Sequence, residues 1–292
     1  MLLQGSITAL ITPFTADGAI DAKAFQDFVA WQIAEGTDGV VPVGTTGESP
    51  TLSHDEHKRV VELCIEVAKG KVPVIAGSGA NSTHETIDLT RHAQEAGADA
   101  ALLVVPYYNK PTQEGLYQHF KAVHDATDIP LVLYNIPGRS VVDMSVETMK
   151  RLADLPRIVG VKDATADLAR PLRTRVVIGT EFIQLSGEDA TVTAFLAQGG
   201  HGCISVTSNI APRLCGDLHD AWAAGDYAKA FEIRDRLMAV HDAMFCETSP
   251  APVKYAASLL GKCSDYVRLP MLPASEGARA KVRAALEQAG LL

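Results

Sequence analysis

Short apolar runs recur along the chain at a near-regular interval. They are SITALITPF (6–14), GVVPVGTT (39–46), VPVIAGSG (72–79), AALLVVPYY (100–108), PLVLYNIP (130–137), IVGVKDAT (158–165), FIQLSGED (182–189) and GCISVTSN (202–209), with starts 20 to 33 residues apart. Each is a near-continuous Val/Ile/Leu-rich run, the pattern of a parallel strand covered on both faces. Amphipathic stretches fill the intervals. DAKAFQDFVAWQIAEG opens on Asp21, and STHETIDLTRHAQEAG opens on Ser82 with Glu85 three positions later, a capping-box arrangement. Both stop at a glycine. Eight strands alternating with helices predict parallel βαβ units of the α/β class, closed as a (β/α)8 barrel of the TIM type. A doubly wound open sheet would carry a glycine-rich phosphate turn after its first strand, which ITPFTADG does not supply. Further helical patterns follow the eighth unit without a linker. The expected organisation is a barrel over 1–224 that carries the active site and a C-terminal helical extension over 225–292.

Composition narrows the class of function. A chain 47% hydrophobic and 21% charged can bury enough surface to offset its ordering entropy, which excludes disorder. The formal net charge of −9 argues against nucleic acid, whose backbone needs a basic face. No apolar run approaches the ~20 residues of a spanning helix, so no membrane partner is expected. MLLQGSITALITPF lacks a basic leader region and a cleavage site, so the expected location is cytoplasmic. The five cysteines are odd in number, far apart and set among apolar residues, and read as reduced core thiols. His54 and His57 are the nearest approach to a metal-ligand spacing, but there is no H-x-H, no HExxH and no local Cys partner, so no metal is expected.

The barrel places chemistry at the C-terminal ends of its strands. Of 12 lysines, Lys162 alone lies inside an apolar strand, with Lys254 in a helical stretch the nearest rival. Partial desolvation disfavours an ammonium, and a free amine in a pocket attacks a ketone to form a Schiff base. An ion pair with a strand-end acid such as Glu188 is the structural alternative. Tyr134 ends the preceding strand, where a phenol can relay protons or simply pack. The turn Gly44-Thr45-Thr46-Gly47-Glu48 offers N–H groups and hydroxyls to a carboxylate, or is only a turn. Arg139 in Pro137-Gly138-Arg139 is either a carboxylate fork or a surface arginine.

Together GTTGE, PYYNKP, YNIPGR and GVKDAT, in this order and spacing, resemble the dihydrodipicolinate synthase family of pyruvate-dependent class I aldolases. The resemblance runs the length of the chain. It implies that Lys162 forms an imine with pyruvate and that no separate cofactor is needed. Tyr134 is then the proton donor and acceptor, completing a relay with Thr45 and with Tyr108 lent across a tight dimer. Thr46 holds the pyruvate carboxylate, with Ile204 and Gly187 beside it, and Arg139 takes the carboxylate of L-aspartate 4-semialdehyde. The implied product is 4-hydroxy-tetrahydrodipicolinate, the committed intermediate towards diaminopimelate and lysine. The implied assembly is a homo-oligomer, a dimer of dimers.

Lysine-sensitive members bind the amino acid in a cleft between subunits, and the matching positions are Ser49, Pro50, His54, Asn81, Glu85 and Tyr107. Feedback inhibition by lysine is therefore expected. Two departures stand out: Pro50 where alanine is frequent, and Ala166 where a glycine is usual, the latter expected to alter only its loop. The alternatives are another aldolase on the same scaffold, of the N-acetylneuraminate lyase or keto-deoxy-sugar-acid type, a metal-dependent barrel hydrolase, and a non-catalytic small-molecule sensor.

Overall fold

The computed structural model describes residues 3–292. The apolar runs form eight parallel strands: β1 (Gly5–Ala9), β2 (Gly39–Val41), β3 (Ile75–Gly77), β4 (Ala100–Val104), β5 (Leu131–Asn135), β6 (Ile158–Asp163), β7 (Ile183–Ser186) and β8 (Gly202–Ser205). They pair in the order β2-β1-β8-β7-β6-β5-β4-β3. The ring closes between β2 and β3 through a parallel bridge, Val40 to Val74, and two bonds, Val40 N–H to Pro73 O at 3.0 Å and Gly77 N–H to Pro42 O at 3.1 Å. The expected barrel is the observed one. Its strands are shorter than the runs that announced them. In GVVPVGTT, Pro42 has no N–H to give the ladder and Val43 turns to φ +50, so β2 stops after three residues.

Helix ends follow local chemistry with one instructive exception. Asp21 caps helix Ala22–Ala34 by accepting from Ala24 N–H at 2.9 Å, and Gly36 beyond it sits at φ +87. Ser82 accepts from Glu85 N–H at 3.4 Å, but the Glu85 carboxylate meets the His54 ring at 2.8 Å instead of returning to Ser82. The complete capping box is at Ser53 and Glu56 instead, ahead of helix His54–Ala68.

Inside the barrel, Ile7, Val41, Ile75, Leu102, Val132, Leu185 and Ile204 form the filled interior. Outside it, one apolar cluster joins Phe28 and Leu218 of barrel helices to Val240 and Met244 of helix Tyr227–Met244, Val253 of helix Ala251–Leu259 and Leu286 of helix Glu276–Gln288. The residues on either side of 224/225 therefore share one core. Truncating a residue such as Leu286 in such a site costs about 2–5 kcal/mol. Of the five free cysteines, Cys64, Cys203 and Cys215 are buried, whereas Cys246 and Cys263 are half-buried, so the expectation of core thiols holds for three. Among the described residues no helix is long and apolar enough to cross a membrane, and no group of three or more His, Cys, Asp or Glu is placed to hold a metal ion.

Candidate active site

The β5–β6 register sets Tyr134 beside Lys162, with Lys162 Nζ 4.3 Å from the centroid of the phenol ring. Lys162 is 7% exposed, and no ion pair among the described residues includes it. The structural alternative, a pair with Glu188, is not formed. Alternation along the strands turns the next residues, Asn135 and Asp163, away from the barrel axis. There they are tied down: Asn135 Nδ2 donates to Asp143 Oδ1 at 2.7 Å, and Met144 N–H donates to Asn135 Oδ1 at 3.0 Å. Arg170 lies between Asp143 and Asp163, 3.1 Å from each. Burial raises the Asp163 pKa, against the pull of its Thr165 hydrogen bonds and the Arg170 charge. This outer network braces the ends of both strands, and so the phenol and the amine that those strands carry inward.

The GTTGE turn is closed by its own backbone, Gly47 N–H and Glu48 N–H donating to Gly44 O and Thr45 O at 3.1 Å each. It is tight enough to demand glycine opposite it: a Cβ on Gly77 would stand 2.5 Å from Val43 O. Thr46 is buried and Thr45 half-buried. Two adjoining cavities open at this face. The deeper one, about 60 Å³, is lined by Lys162, Tyr134, Thr45, Thr46, Arg139 and Gly187, together with Glu188, Phe245 and Ser249. The outer one, about 210 Å³, shares Thr45, Tyr134 and Arg139 and extends to Ser49, Pro50 and Tyr107. Burial, and then the neighbouring Asp189, push the Glu188 carboxyl pKa up, while Lys162 pulls it down.

Tyr108 aside, five of the six positions singled out around the lysine thus converge on one cavity, and their polar groups suit a small ketone bearing a carboxylate. Ile204 is the exception. It is fully buried in the interior layer with Tyr134, and Val206 is the β8-side residue that reaches the cavity wall. Tyr108 lines neither cavity; it is 90% exposed on a loop at φ +71. Sequence reasoning missed Phe245 and Ser249, which come from beyond the barrel and lie more than 80 residues from Lys162 in the chain, and took Glu188 only as a pairing partner.

A second group gathers at the mouth. His54 Nε2 lies 2.8 Å from Glu85 Oε1, and Asn109 Nδ2 donates to Asn81 O at 2.8 Å, securing the loop that carries Tyr107. Ser49, Pro50 and Tyr107 face the outer cavity. Ala166 keeps φ +59, a conformation glycine takes freely and alanine holds at about 1–2 kcal/mol.

The sequence pattern of the Dihydrodipicolinate synthetase family matches residues 2–289. The chain is 70% identical over 291 residues to a 4-hydroxy-tetrahydrodipicolinate synthase of Rhodospirillum centenum, covering 100% of both. Among solved structures it is similar to the chloride-inhibited dihydrodipicolinate synthase of Acinetobacter baumannii complexed with pyruvate, at TM-score 0.97 and 46% identity over 99% of each chain. It is equally similar in shape, TM-score 0.97, to the enzyme of Cyanidioschyzon merolae with lysine bound, at 37% identity over 100% of each chain.

Proposed function

Because the chain belongs to the dihydrodipicolinate synthetase family, we infer that it is a lyase condensing pyruvate with L-aspartate 4-semialdehyde through an imine on Lys162. The observation that carries this reading is an unpaired, buried lysine amine against a tyrosine ring in a cavity lined by hydroxyls and one guanidinium. Lys162 Nζ attacks the keto carbon, and the carbinolamine loses water to give the imine. The imine is a better electron sink than the ketone, so a methyl proton leaves and an enamine forms. Tyr134, the phenol nearest the amine, moves these protons, with Thr45 beside it. Thr46 and the N–H groups of its turn hold the pyruvate carboxylate. The enamine carbon then attacks the aldehyde, whose own carboxylate Arg139 grips bidentately. The substrate's amino group closes on the imine carbon and expels Lys162, giving the hydroxylated ring. The residues present complete this chemistry without a separate cofactor.

The reading extends to regulation and assembly. Tyr108, exposed on its own chain, reaches the site of a second copy across a tight dimer. The exposed apolar side chains of Leu168, just ahead of helix Arg170–Ile178, and of Leu172 and Val176 on it offer a second face for a dimer of dimers. Lysine binds where Ser49, Pro50, His54, Asn81, Glu85 and Tyr107 meet, its ammonium on Glu85 and its stem under Tyr107. The working location is the cytoplasm. Product formation from pyruvate and aspartate semialdehyde, with none from sialic acid or keto-deoxy-gluconate, separates this activity from its aldolase relatives.

Borohydride reduction in the presence of pyruvate, followed by peptide mapping, is expected to give one covalent adduct, on Lys162. An adduct elsewhere, or none, overturns the reading. Saturating lysine is expected to slow the initial rate, and Glu85→Ala to abolish that inhibition while leaving the uninhibited rate largely intact; a lysine response retained in Glu85→Ala removes the assigned site.

A further inference from the structure

Glu48 closes the carboxylate-binding turn, and its circumstances are unusual for an acid in a loop. It is 3% exposed and holds φ +58, a left-handed conformation that a non-glycine residue keeps only when its surroundings enforce it. Both carboxylate oxygens are engaged from the C-terminal extension: Lys254 Nζ donates to Oε1 at 2.7 Å and Arg268 N–H to Oε2 at 3.0 Å. Lys254 is 0% exposed, gives a second proton to Thr12 O at 2.9 Å, and lies 4.3 Å over the Phe14 ring. Thr12 in turn donates its hydroxyl to Gly47 O at 2.7 Å. The two residues directly after Thr46 are therefore clamped, one from the loop following β1 and one from helix Ala251–Leu259.

We propose that the buried Lys254–Glu48 pair is a positioning device for substrate binding, through which the C-terminal extension holds the Thr45–Thr46 turn in the geometry that receives the pyruvate carboxylate. Neither residue touches the cavity that holds Lys162, so the pair acts through the turn. A buried ion pair is weak evidence for stability, since an apolar replacement of both partners is often as stable, and register is the better-attested use of such pairs. Here the register is that of the five-residue turn Gly44–Glu48, whose N–H groups and hydroxyls must converge on one anion, where small displacements cost binding. The proposal rests on the pyruvate reading of the site.

The test uses the full-length enzyme with Glu48→Gln, and with the charge-free double variant Glu48→Gln/Lys254→Met in case the single change leaves a lone buried ammonium and does not fold. The expected result in a folded variant is a KM for pyruvate raised about tenfold or more, with kcat at saturating pyruvate changed less than about threefold. Adding Thr46→Val is expected to raise KM by a smaller factor in the Glu48→Gln background than in the wild type, because both changes disable the same turn. A pair that serves stability alone lowers the melting temperature and leaves KM and the Thr46 effect untouched. That outcome overturns the proposal. If the wild type itself fails to trap pyruvate on Lys162, the functional reading falls and the clamp falls with it.

Discussion

Two lysines are buried among the described residues, and they sit in opposite circumstances. Lys254 is completely enclosed between barrel and extension, with a carboxylate, a carbonyl and an aromatic face around its amine. Lys162 is slightly less buried, ends a barrel strand, and faces a phenol ring and a cavity with no acid paired to it. Burial lowers the Lys254 pKa, and the charge and hydrogen bond of Glu48 oppose that shift without cancelling it. Desolvation alone therefore does not make a nucleophile. An amine must also be left without a partner and given room for an electrophile, and only the barrel site meets both conditions.

The comparison breaks first if the wrong lysine reacts. Lys162→Ala is expected to abolish trapping and to cost roughly four orders of magnitude or more in turnover, as removal of a covalent nucleophile does, while no adduct ever maps to Lys254. Residual trapping in Lys162→Ala sinks the distinction. Next, Tyr134→Phe keeps the ring beneath Lys162 and removes only the hydroxyl. An expected loss of about 10²–10⁴-fold in kcat assigns proton transfer to the phenol; a loss under tenfold reduces Tyr134 to packing.

The smallest effect concerns what holds the Lys254 region together in acid. Arg268, whose backbone braces Glu48, also pairs through its guanidinium with Glu56, which holds that carboxyl down to about 2 from an ordinary 4.5. Burial lowers His57, on the same helix, to about 4 from 6.5. Both folded values lie below the unfolded ones, so both contributions are present at neutral pH and disappear as the pH falls. The His57 share is lost between 6.5 and about 4, and the Glu56 share between 4.5 and about 2. Each group adds at most about 1.4 kcal/mol per pH unit within its window. Urea unfolding at pH 7, 5 and 3 checks this: Glu56→Gln should flatten only the acid limb, and a stability that rises on acidification contradicts the assignment.

The fold was legible because eight apolar runs at barrel spacing leave few architectures that bury them all. Lys162 was legible for the same reason: a charge inside a strand buried on both faces has no bland explanation in the strand itself. Other readings failed where a local pattern met a distant competitor. Ser82 and Glu85 spell a capping box, yet Glu85 turns to His54, 31 positions away. Pro42 and the left-handed Val43 end β2 inside a run that reads as continuous strand. Ile204 is buried on the expected strand, and it is Val206 that takes the β8-side place in the cavity wall.

By itself, then, the order of apolar runs and strand-end motifs determined the barrel, the face where its polar residues gather and the candidate amine on β6, because each depends on periodicity and on residues that follow their own strand. Only the tertiary structure decided that Glu48 and Lys254, 206 positions apart, share a buried pair, and that Phe245 and Ser249 wall the cavity. It also decided that Tyr108 lies exposed, outside the cavity lining of its own chain. Those outcomes turn on which distant groups compete for one donor or one patch of surface, and nothing in a local pattern records that competition.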